Sequence, residues 1–94
     1  MKNQVQGRTE ESGEVEFATL VLMFSTAAMI HLGAAPDPVS GEVKADLAQA
    51  KRMIDLLDVL KRKTAGNLMA GESAMLDDLL FDLRMRYLEA VKRT

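Results

Sequence analysis

Residues 17–32 read FATLVLMFSTAAMIHL, sixteen positions without an Asp, Glu, Lys or Arg. Helix formers dominate the run, and neither Gly nor Pro interrupts it until Gly33, a residue suited to the left-handed turn that closes a helix. The stretch predicts helix 1, over about 15–32. On a wheel of about 3.6 residues per turn, Phe17, Leu20, Phe24, Ala27 and His31 form one stripe, and Val21, Leu22, Met29 and Leu32 another. A helix that is apolar on every side needs cover on every side, from protein or from lipid. Length favours protein, because a spanning helix needs about 20 apolar residues. The uncharged run reaches nineteen only by counting through Ala35, and it includes two Thr, a Ser and a His.

Upstream, Met1–Glu14 (MKNQVQGRTEESGE) holds only Val5 as a large apolar residue after Met1. Such a segment buries too little surface to offset its ordering entropy, so 1–14 reads as a flexible polar tail and 15–94 as a single helical domain. The acidic residues just before the apolar run are unlike the basic start of a secretory leader. Downstream, GAAPDPVSGEVK contains both prolines and reads as a connection. Helix 2, over about 46–65, opens on Asp46 and Gln49, spaced as a capping box. Its apolar face is Leu47, Ala50, Met53, Ile54, Leu57 and Leu60, with Lys51, Arg52, Asp55, Asp58 and Arg62 opposite. Lys61, Arg62 and Lys63 sit in the last turn, where cations complement the helix dipole, and Gly66 supplies a stop. Helix 3, over about 71–92, has a main face of Leu76, Leu79, Leu80, Leu83, Tyr87 and Val91, and a separate stripe of Phe81, Met85 and Leu88. The expected fold is all-α: a three-helix domain in which helices 2 and 3 form an antiparallel hairpin packed on helix 1.

Composition narrows the function classes. The chain has 94 residues, 48% hydrophobic and 28% charged, with a formal charge of −2 and no Cys. A disulfide scaffold, a thiolate zinc site and a cysteine nucleophile are excluded. The acidic balance argues against nucleic acid, and the basic strip of Lys51, Arg52 and Lys61–Lys63 has no interleaved aromatics. No phosphate-binding loop, dinucleotide fingerprint or nucleophile elbow occurs, so no cofactor is expected. His31, the only histidine, sits at the end of helix 1, where the dipole and free carbonyls favour an imidazole. It reads as structural. Asp77, Asp78 and Asp82 read as a solvated face, since di-metal bundles require Glu-x-x-His pairs that are missing here. Thr19, Ser25 and Thr26 are expected to bond back to the carbonyl four residues earlier. No catalytic, cofactor or metal residue is assigned.

A core of about 80 residues without disulfide or metal commonly needs oligomerisation to hold it. The surplus apolar surface points the same way, and a symmetric dimer is the simplest closed form. The expected interface residues are Phe17, Leu20, Phe24, Phe81, Met85 and Leu88, and another protein partner would fit the same surface. The function expected is therefore non-enzymatic, as a self-associating or protein-interaction module. The alternatives are a peripheral membrane protein using helix 1, and an enzyme or metal site assembled across an oligomer interface.

The phrases LVLMFSTAAMIHLGAAPDPVSGE, DLAQAKRMIDLLDVLKRKTAGNL and LLFDLRMRY together resemble the small family known as domain of unknown function 1844, over nearly all of Phe17–Val91. The most specific parts are HLG-x-x-PDP-x-x-GE at His31–Glu42, the Ile54-Asp55 pair, and Lys63-Thr64-x-Gly66-Asn67-Leu68. In that family a Thr or Ser often follows Asn-Leu and caps helix 3, whereas Met69 stands there in this chain. The resemblance implies a bacterial, cytosolic, all-helical protein. It implies no activity and no catalytic residues.

Overall fold

The computed structural model describes the backbone of residues 9–93 and the side chains of 16–93. Its elements are α1 (Thr9–His31), α2 (Leu47–Lys63) and α3 (Ala70–Arg93), with no strand among the described residues. The three-helix, all-α expectation is met. Helix α1 begins six residues earlier than the apolar pattern predicts, so Thr9–Glu14 is helical although the sequence reads as a tail there. Once packing holds Phe17–His31 in place, adding residues upstream needs no new nucleus. Residues 1–8 of that segment lie outside the described residues.

Helix α1 ends as Gly33 predicts. The Gly33 N–H donates to the Ile30 carbonyl at 3.0 Å, and the Ala34 N–H reaches the Met29 carbonyl at 2.9 Å. This crossed pair needs a left-handed residue, and Gly33 has φ 78°. A Cβ here would also lie 3.3 Å from Cβ of Ala45, where the start of α2 passes the end of α1. Asp46 caps α2, its Oδ1 accepting from the Gln49 N–H at 3.2 Å. The reciprocal half of the expected capping box is replaced, because the Asp46 N–H donates to the His31 carbonyl at 2.7 Å. That bond ties the end of α1 to the start of α2 and turns the chain back on itself. At α3 the missing Ser or Thr cap is supplied differently. The Glu72 carboxylate accepts from the Met69 N–H at 2.8 Å, with the Glu72 side chain folded inward.

Helices α2 and α3 form the predicted antiparallel hairpin, held near its turn by Lys61–Asp77 (2.8 Å) and further along by Arg84–Asp58 (2.8 Å). Helix α1 packs against both. Each helix sends one stripe into the common core: Val21, Ala28 and Leu32 from α1, Ala50, Ile54 and Leu57 from α2, and Leu76, Leu80, Leu83 and Ala90 from α3. Two expectations are corrected. Val91 is exposed and Ala90 is buried in its stead, one position round the helix. Helix α1 is not covered on all sides either: Leu22 and Met23 are 51% and 65% exposed. Two neighbouring helices can enclose only part of a third.

Candidate functional site

His31 is the last residue of α1 and opens the connection with the most distinctive sequence. Asp37 organises that connection. Its Oδ1 accepts from the N–H groups of Val39 (2.7 Å) and Ser40 (3.2 Å), and its carbonyl accepts from Gly41 at 2.7 Å. Its own N–H donates to the Glu42 carbonyl at 2.8 Å. Gly41 takes φ 77°, closing the turn between the proline-flanked start and Glu42. The PDP-x-x-GE motif is therefore legible as turn chemistry. A shallow cleft of about 390 Å³ lies beside it, reached by His31, Asp37, Ser40, Glu42, Lys44 and Asp46. The Val39 and Ser40 amides hold the Asp37 carboxyl below its ordinary value of 3.8. A carboxylate so held is a weaker base, which disfavours Asp37 as a proton acceptor. Among the described residues no group of three or more His, Asp or Glu side chains is placed to hold a metal ion.

Of the three aspartates singled out on α3, Asp77 and Asp82 have separate partners and Asp78 has no ion pair among the described residues. Asp77 pairs with Lys61 at 2.8 Å, and Asp82 pairs with Arg86 at 2.9 Å, as its spacing predicts. Part of the basic strip is likewise paired, Lys51 with Asp55 at 2.9 Å and Arg62 with Asp58 at 3.1 Å, while Arg52 and Lys63 have no ion pair among the described residues. Asp58 carries the densest of these arrangements, accepting from both Arg84 and Arg62, and the two guanidiniums hold its carboxyl below the ordinary value. The Arg84 partner lies 26 positions away and has no local sequence signal.

The apolar residues expected at an interface separate into two groups. Phe17 and Phe24 are half-buried and pack against the chain's own core, while Leu20 stays exposed on α1. Phe81, Met85 and Leu88 stand on the side of α3 turned from the core and are 69%, 47% and 53% exposed. Ser25 departs from expectation, because its hydroxyl is buried and has no hydrogen-bond partner in place of the predicted backbone carbonyl.

The fold and surface define a small all-α protein with an uncovered apolar helix face and turn-forming motifs at both connections. The chain belongs to the family described as Domain of unknown function (DUF1844), whose profile matches residues 14–89. The match spans most of α1, all of α2 and α3 up to Glu89. No curated protein and no solved structure matches the chain. No helix among the described residues is long and apolar enough to cross a membrane.

Proposed function

We propose that this protein is a non-enzymatic module that self-associates, as a dimer in its simplest form, in the bacterial cytoplasm that the family resemblance implies. The observation that supports this is the stripe of Phe81, Met85 and Leu88, three large apolar side chains together on the outer side of α3. Leaving them in water forgoes roughly 25 cal/mol for every Å² of apolar surface. Contiguous surface of this kind marks contact sites on small proteins. In the His31–Asp46 connection, the side chains of Asp37, Ser40 and Asp46 accept hydrogen bonds from nearby backbone amides and so serve its own turns.

Light scattering on size-separated, detergent-free protein at two well-separated concentrations tests the reading. A mass of twice the 10.3 kDa chain, returning towards one chain mass in Phe81→Asp, is the expected result. A monomer at both concentrations refutes self-association. A wild-type dimer that Phe81→Asp leaves intact refutes the α3 stripe as the contact.

A further inference from the structure

The outer side of α3 carries a regular pattern. Ala74, Asp78, Phe81, Met85, Leu88 and Lys92 follow one another at steps of four, three, four, three and four residues, and all six are exposed. Steps that alternate between three and four residues are the spacing of the seam along which two helices pack in a coiled coil. The middle of the seam is apolar, its N-terminal end is acidic and its C-terminal end is basic. Asp78 and Lys92 each lie seven residues from Met85, while Phe81 and Leu88 lie four and three residues from it, on opposite sides. The pattern is therefore centred on Met85.

That symmetry selects a partner. In a parallel pair in register, Asp78 would face a second Asp78 and Lys92 a second Lys92, so both ends would repel. In an antiparallel pair about a two-fold axis beside Met85, Phe81 meets the region of Leu88, and both ends join opposite charges. Of the other charges near the seam, Asp77 is engaged with Lys61, Arg84 with Asp58 and Arg86 with Asp82, while Glu89 flanks the seam without an ion pair among the described residues. Asp78 and Lys92 have no ion-pair partner among the described residues. The exposed face of α1 at Leu22 and Met23 carries no such charge code.

We infer that α3 pairs antiparallel with α3 of a second copy of this chain, its two-fold axis at Met85, with Asp78 of each copy facing Lys92 of the other. This rests on the self-association proposed above and assigns its surface, orientation and register. A self-complementary stripe of this kind satisfies the requirement that one patch serve both sides of a two-fold interface. Polar residues at seam positions set register and orientation.

The test compares wild type, Asp78→Lys, Lys92→Asp and an equimolar mixture of the two variants by analytical ultracentrifugation. Circular dichroism checks that each exposed-site variant stays helical. Asp78→Lys places two cations together at both ends of the pair, and Lys92→Asp places two anions together. Each variant alone should dimerise roughly tenfold more weakly than wild type. Mixing them restores opposite charges at both ends and should return a heterodimer of wild-type strength. A parallel pair would not weaken in either single variant, because like already faces like at each end. A wild-type dimer whose strength neither variant changes overturns the antiparallel α3 seam and leaves self-association standing. So does a mixture that stays as weak as the single variants. A wild-type chain that is monomeric throughout overturns both readings.

Discussion

Replacing Ser25 with alanine is expected to stabilise the protein, against the usual sign for a truncation in the core. The Ser25 side chain is buried and its Oγ has no hydrogen-bond partner. Leaving a hydroxyl buried and unpaired costs about 1–3 kcal/mol on scales drawn from protein mutations. Alanine is also the better helix former, by up to about 0.5 kcal/mol. The opposing effect is the loss of one oxygen's packing contacts, comparable to deleting one methyl group, at roughly 0.5–1.5 kcal/mol. The balance favours alanine by about 1 kcal/mol, the desolvation penalty being the largest contribution. Urea unfolding at one fixed protein concentration should show a higher midpoint with an unchanged slope, and thermal unfolding a rise of roughly 4–8 °C. Thr26→Ala, on the exposed side of the same helix, isolates the helix-propensity part. A Ser25→Ala variant that is less stable by about 1 kcal/mol would show that the hydroxyl is bonded, and would refute the packing of α1 deduced here.

Two further predictions concern the joints between elements. Glu72→Ala removes the acceptor for the Met69 N–H and should cost about 1 kcal/mol of stability in urea unfolding, with Glu72→Gln losing less because its amide oxygen can still accept; equal stability of Glu72→Ala and wild type would discard the capping role. The Asp58 carboxyl is held below its ordinary value of 3.8 by Arg84 and Arg62, so it stabilises the folded state above that pH, and the contribution is lost as pH falls through the lower folded-state value. The stability difference between wild type and Asp58→Asn should therefore shrink below about pH 4 and weaken with added salt; a difference constant from pH 6 to pH 2.5 would contradict the Arg84 link.

Much of the architecture is written locally. Helix periods, the Asp46 cap, the Gly33 and Gly66 stops and the Asp82–Arg86 pair all depend on residues within one or two turns of each other, and all appear where their spacing places them. The same holds for the α3 stripe, which is separated from the core face by its position round the helix. The start of α1 was hidden because hydrophobic pattern reports burial, while a helix can extend beyond its buried part. The Met69 departure concealed the cap of α3, although Glu72 three residues later is itself a capping signal.

By itself the sequence determined three helices, their connections and the family, because caps, turns and periodicity act over a few residues. Only the tertiary structure decided which side of α1 is covered, since a helix apolar all round gives its neighbours no preferred direction. It alone joined Asp58 to Arg84 and the His31 carbonyl to the Asp46 amide, and it left Ser25 without a partner. Those outcomes depend on how far the packed helices bring distant backbone together, a distance that no local spacing encodes.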